Sequence, residues 1–227
     1  LRARMAEDGY LYLPGLLEKE RVQAARDAVL ALLDEEGSLD ARFPRQEGVA
    51  KPGLELAFRP DLANTNPQVE DLLYTGSMMD FYQHFFGEAV RHFDYTWLRA
   101  NAPGPNTATH PHCDIVYMGR GTPQLYTSWT PLGDVPYELG GLMIQENSHR
   151  RSDVLGEYWK IDCPKLGASA RRMFRRILVS KNLASLKNSR PPLEAWKNSS
   201  ISVLTSAARR VLESYMQSMT PVRRRLL

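Results

Sequence analysis

The chain has 227 residues, of which 43% are hydrophobic and 24% charged, with a formal net charge of +3 at pH 7; that is enough for one domain with a substantial core, or a small domain plus an appendage. No apolar run approaches the length that spans a bilayer, and the opening Leu1-Arg2-Ala3-Arg4-Met5 lacks the apolar core of a signal peptide. Two cysteines, Cys113 and Cys163, are too few for a disulfide framework, so a cytoplasmic protein is expected; with Leu rather than Met at position 1, the chain reads as a fragment or as starting at an internal codon.

The first predicted element is an amphipathic helix. Val22, Ala25, Val29 and Leu32 recur at intervals of three and four, Glu18 and Glu20 lie near its first turn, and Gly37 follows its last. The stretch from Phe43 to Pro60 holds three prolines and two glycines and is expected to be a loop. Asn66 and Pro67 then open a second helix, whose apolar face starts at Val69, Leu72 and Leu73 and runs on toward Phe85 and Phe86. Both helices are expected to pack against the outside of a sheet. His84 and His92 lie in or just after this stretch and carry no metal-ligand spacing.

Strand signals follow. Tyr95 to Asn101 is rich in aromatic and extended-chain formers and stops at Pro103-Gly104-Pro105. Gln124 to Pro131 and Gly141 to Glu146 are two further short apolar runs bounded by turn residues. Such short strands suggest a barrel or jelly roll.

Between them stands His112-Cys113-Asp114, ahead of an apolar run that reads as a strand. On an extended segment, residues two apart project from one face, so the imidazole and the carboxylate can grip one metal ion. That pair is two thirds of the 2-His-1-carboxylate triad of non-haem iron(II) oxygenases, which leaves open positions on the metal. The plain reading of His112 alone is a surface histidine beside a turn. His110 reads as a loop residue rather than a ligand, since Pro111 interrupts the alternation. Trp97 and Trp129 read equally as core packing, because buried aromatics dominate β cores.

Four segments in order carry a resemblance to a known family: Glu7 to Gly15 (EDGYLYLPG), Thr109 to Asp114 (THPHCD), Trp129 to Asp134 (WTPLGD), and Gly140-Gly141-Leu142-Met143 followed by Asn147-Ser148-His149. Together they resemble the phytanoyl-CoA dioxygenase-like branch of the iron(II)/2-oxoglutarate oxygenases over roughly residues 5 to 160. The resemblance implies an α+β fold in which N-terminal helices pack on a double-stranded β-helix, a cupin-like jelly roll. It implies Fe(II) held by His112 and Asp114, 2-oxoglutarate as co-substrate, and hydroxylation of a small organic substrate. Trp97 and Trp129 match positions where the family lines the co-substrate pocket, Cys113 stands where relatives often have Gln, and His149 ends a turn expected to order a loop near the site.

The resemblance divides the chain into a partial oxygenase domain over residues 1–162 and a basic tail over residues 163–227. The tail has fourteen Lys or Arg against two acids, a net charge of +12, whereas the preceding 162 residues carry fifteen against twenty-four, a net of −9. It holds ten of the fifteen serines, one glycine, and no histidine or aspartate, so the family's third iron ligand and the Ser, Asn and Arg pattern that binds the far carboxylate of 2-oxoglutarate are missing from it. Arg223, Arg224 and Arg225 have no matching neighbours and take no role.

Three readings of the tail compete: a shifted frame or mis-spliced end, a basic helical appendage that binds nucleic acid or an anionic membrane, and a relative that keeps a binding pocket without catalysis. Helical spacing of Leu204, Ala208, Val211, Leu212, Tyr215 and Met219, and of Met173, Phe174, Ile177 and Leu178 against four arginines, supports the second. On any of them the jelly roll is expected to be incomplete, with no strands between 196 and 215 and a tail that is helical or disordered. Substrate identity and oligomeric state are not legible in these residues.

Overall fold

The computed structural model describes residues 1–54, 58–93, 95–101, 112–118, 124–135, 141, 142, 144, 147–152, 155, 156 and 200–209. Helix α1 spans Arg2–Asp8 and α2 spans Lys19–Glu35. The apolar stripe of α2 is Ala25, Val29, Leu30 and Leu33, all buried, while Leu32 is 37% exposed. The expected helix is therefore present with Ala25 and Val29 of its expected face buried and Val22 packed against the core, and at its end Leu33 in place of Leu32 turns inward. Gly37, at φ 75°, ends it in the left-handed conformation that glycine adopts without steric cost.

Asn66 and Pro67 open α3 (Pro67–Tyr74) as their types dictate. The Asn66 side-chain oxygen accepts from the backbone N–H groups of Gln68 and Val69 at 3.2 and 3.3 Å, and proline at the first helical position gives up only an N–H that lacks a helical partner. The apolar face does not run straight on to Phe86. The chain breaks at Thr75 and restarts as α4 (Gly76–Phe86). Gly76 sits at φ 53°, and a Cβ there would run into the Arg21 guanidinium, which bonds Asp71 and Thr75 across the break. Among the described residues, the stretch after Phe43 is irregular apart from a 3₁₀ turn at Arg45–Glu47, and the Arg59 N–H donates to Leu98 O at 2.9 Å.

The described strands are β1 (Val90–His92), β2 (Trp97–Asn101), β3 (Leu125–Pro131) and β4 (Ser200–Arg209). All pairings are antiparallel and all involve β4: β1 and β2 lie successively along one edge of it and β3 along the other. This corrects the expectation of a strandless tail. Residues 200–209 form a strand because Ile201, Val203, Thr205 and Ala207 alternate with Ser200, Ser202, Leu204 and Ser206, a period of two that includes three β-branched residues. The helical spacing that began at Leu204 and Ala208 and ran on to Met219 passed over that alternation. The other positions on which a helical tail was expected lie outside the described residues, and a complete jelly roll is not shown.

One sheet face carries the core. Leu98 and Ala100 of β2 are fully buried, and their register neighbours include Thr130, which is also buried. Helix α4 covers this face from above: Tyr82 Oη is 2.5 Å from Ser128 Oγ, and Phe85 and Phe86 meet Tyr126 edge to face at 5.2 and 5.5 Å. Helices α2 and α3 extend the same layer through Val29, Leu33, Val69 and Leu72. Of the third expected strand, Gly141, Leu142 and Ile144 are described and lie in none; the rest of that run is outside the described residues.

Candidate metal centre

His112 and Cys113 are irregular, Asp114 begins a turn, and Ile115–Met118 forms a single helical turn, α5. The run after Asp114 was expected to be a strand. It turns instead because the Asp114 carbonyl accepts the Tyr117 N–H at 2.9 Å and Val116 folds inward to be buried. The His112 and Asp114 side chains nevertheless converge: His112 Nε2 lies 3.2 Å from Asp114 Oδ1, and each side chain is about a quarter exposed (25% and 26%). Tyr117 meets the His112 ring edge to face at 5.9 Å.

This turn sits over the sheet face opposite the helices. Asp114 is hydrogen-bonded by the Thr127 hydroxyl of β3 and lies within electrostatic reach of Arg99 of β2. Arg99 stands opposite position 202 of β4 and Thr127 opposite position 206; Trp97 and Trp129 both stand opposite position 204. Residues directly opposed in an antiparallel ladder share a face, so Trp97, Arg99, Thr127 and Trp129 all lie on the face that Asp114 overlooks. Neither tryptophan is in the buried core; both are half-buried, with Tyr95 edge to face on Trp97 at 5.0 Å.

Electrostatics prepare the carboxylate. Burial alone would raise the Asp114 pKa, but bonds from His112 and Thr127 and the charge of Arg99 outweigh it, and the carboxyl is held below its ordinary range. It is therefore an ionised acceptor at neutral pH. Desolvation and the neighbouring Asp114 charge push the Cys113 thiol up, which keeps it protonated and a poor ligand.

One imidazole and one carboxylate suit a divalent iron ion, and the observed convergence fits two positions of such a site. Among the described residues there is no group of three or more metal-ligating side chains, so a third protein ligand is not found among them. His84 bonds the Asp80 carbonyl within its own helix at 2.7 Å, and His92 stacks on Tyr74 at 3.9 Å. His149 packs against α1, its Nε2 3.3 Å from Ala6 O and its ring filling the space that a Cβ on Gly9 would need. Its turn orders the N-terminal segment, with the Arg150 guanidinium donating to Glu7 O at 2.8 Å. His110, Pro111 and the three arginines at 223–225 lie outside the described residues.

Arg99 and Thr127 were not singled out in the sequence. The signal was present: each lies two residues from a site tryptophan on its own strand, the spacing that returns a side chain to the same face.

Comparison with known proteins bears on this geometry. The family model for phytanoyl-CoA dioxygenase (PhyH) matches residues 5–164. The 1-deoxypentalenic acid 11-beta-hydroxylase of Streptomyces arenae is 28% identical over 171 residues, which covers 68% of this chain and 56% of that protein. The same-named protein of Streptomyces exfoliatus is 27% identical over 150 residues, covering 64% and 52%. The chain thus spans about half the length of the curated relatives it matches. Because the family match contains the helical layer, three of the four strands and the His112 to Asp114 turn, the chain belongs to the phytanoyl-CoA dioxygenase family.

Proposed function

We propose that this chain forms the oxygenase portion of an iron(II)- and 2-oxoglutarate-dependent hydroxylase of a small organic molecule. On this reading His112 and Asp114 are two of its metal ligands, and Trp97 and Trp129 line the co-substrate side of the site. The observation that carries this reading is the 3.2 Å approach of His112 Nε2 to Asp114 Oδ1 over the sheet face that the helices leave open. Family membership and relatives named as hydroxylases support it.

Iron(II) with 2-oxoglutarate would supply the dioxygen chemistry that no side chain can perform. The protein's own groups have simpler tasks. Asp114 offers an ionised oxygen, the Thr127 hydroxyl bonds that carboxylate and the charge of Arg99 favours its ionised form, and the two indoles exclude water from one face. The positive charge of Arg99 also favours an anionic ligand over this face. An acid, as in the 1-deoxypentalenic acid for which the two relatives are named, suits an aromatic surface with one cation.

The test is succinate formation from 2-oxoglutarate by the full chain with Fe(II), compared with Asp114→Ala. Iron-dependent succinate that disappears in the variant supports an oxygenase. If neither protein makes succinate while the native chain alone binds Mn²⁺, the family site persists as a binding site without turnover, which is the second reading. Loss of both activities would remove the metal site altogether. Among the described residues no helix is long and apolar enough to cross a membrane. Nucleic-acid or anionic-membrane binding would have to come from the basic tail on either side of β4, and would weaken steeply with salt.

A further inference from the structure

Phe58 and Arg59 lie along the edge of β2 away from β4. Phe58 forms an antiparallel bridge with Arg99, and the Arg59 N–H donates to Leu98 O at 2.9 Å. Adjacent residues on a strand edge project to opposite faces. Arg59 turns to the helix side, where its guanidinium bonds the two carboxylate oxygens of Glu36, just past α2, at 2.7 Å each, and Asp61 at 2.6 Å. Phe58 is thereby left on the face that Asp114 overlooks, and the Arg99 guanidinium carbon lies over its ring, 5.9 Å from the centroid. The residues of β2 and those just before it alternate in the same way: Thr96, Leu98 and Ala100 are buried, while Tyr95, Trp97 and Arg99 point outward.

Two features of this corner point to a ligand. Phe58 and Tyr95 are exposed aromatic rings outside the core. Arg99 is half-buried, yet among the described residues nothing accepts a hydrogen bond from its guanidinium, whereas Arg21, Arg42 and Arg59 are each bonded to a carboxylate. A guanidinium that lies over an aromatic ring keeps its planar fork of donors, and that fork matches a carboxylate.

We propose that Phe58 is a specificity-determining residue: its ring seats the Arg99 guanidinium so that it takes the carboxylate of an apolar organic acid, the substrate of this site. That the acid is a substrate rests on the hydroxylase reading, whereas the preference for an acid rests on Phe58 and Arg99 alone.

The experiment is calorimetric titration of the full chain, without metal, with two apolar acids, cyclohexanecarboxylate and decanoate, and with their neutral amides. The native chain is expected to bind at least one acid about tenfold more tightly than its amide, and Arg99→Gln to remove that preference. Phe58→Leu keeps an apolar side chain but no ring. It should weaken the acid about threefold to tenfold and leave the amide unchanged, while Phe58→Tyr retains native affinity for both. A native chain that binds neither acid, or prefers neither to its amide, overturns the proposal. So does a Phe58→Leu variant that weakens acid and amide alike, or weakens neither. Repeating the acid titration with Mn²⁺ and saturating 2-oxoglutarate present separates the two sources of a carboxylate. Undiminished binding assigns Arg99 to the substrate, and competition would assign it to the co-substrate and overturn the proposal. A chain that binds the acid but no Mn²⁺ keeps Phe58 as the selector of an acid ligand while the hydroxylase reading fails. One that binds Mn²⁺ but neither acid loses this proposal alone.

Discussion

Trp97 of β2 and Trp129 of β3 stand on opposite sides of the same residue, Leu204 of β4, and therefore share one face of the sheet. They are 32 positions apart in the chain and come together through a strand more than seventy residues beyond either. The pair frames the surface over which the His112 to Asp114 turn lies.

If these indoles line a co-substrate site, replacing one should act on binding more than on folding. Trp129→Leu keeps an apolar side chain at a half-buried position. It is expected to weaken 2-oxoglutarate binding about tenfold, roughly 1.4 kcal/mol, while the melting temperature changes little. Calorimetric titration of 2-oxoglutarate in the presence of Mn²⁺ measures this, and an unchanged affinity would return Trp129 to plain packing.

The central place of β4 makes a sharp demand on its backbone. Val203 pairs with Leu98 on one side and Thr130 on the other, so a proline there removes a ladder donor from an inner strand. Val203→Pro is expected to destabilise the sheet by losing a ladder hydrogen bond in an inner strand and to abolish a cooperative melt. Arg225→Pro, outside the described strand, serves as the comparison. Equal melting of the two variants would remove β4 from the sheet.

The Asn66 cap carries a local cost. Its side chain is buried and accepts from two backbone N–H groups at the start of α3, and losing such a cap typically costs about 1 kcal/mol. Asn66→Ala should lower stability by about that amount or somewhat more, because the freed donors are partly buried, and Asn66→Asp should recover most of it. Urea unfolding distinguishes these outcomes.

Tyr82 supplies a pH dependence. Burial against β3 pushes its phenol up to about 12 from an ordinary 10.0, and the bond to Ser128 only partly opposes this. Because the folded state holds the proton more tightly than the unfolded chain, the contribution is fully present below about pH 10 and is lost as the pH rises toward 12. Tyr82→Phe should cost about 1 kcal/mol at neutral pH through the lost bond, and its stability should fall less than that of the native chain between pH 10 and 12. Parallel slopes for the two proteins in urea titrations across that range would contradict this.

What was legible in the sequence was local. The cap at Asn66 and Pro67, the buried stripe of α2 and the two strands around Trp97 and Trp129 follow from spacing within a few residues, where backbone geometry dictates which side chains share a face. The convergence of His112 and Asp114 is of the same kind, and it survives even though the segment turns into α5 instead of continuing as a strand. The motif order also announced the family. What the tertiary structure alone decided was long-range pairing. Leu33 replaces Leu32 in the core because of where α3 lies. Arg99 and Thr127 become neighbours of Asp114 because two strands open their faces toward one turn. Residues 200–209 enter the middle of the sheet because partners about a hundred residues away present unpaired edges. Such pairing repays its loop-closure entropy only when the whole sheet forms, so no window of neighbouring residues could reveal it.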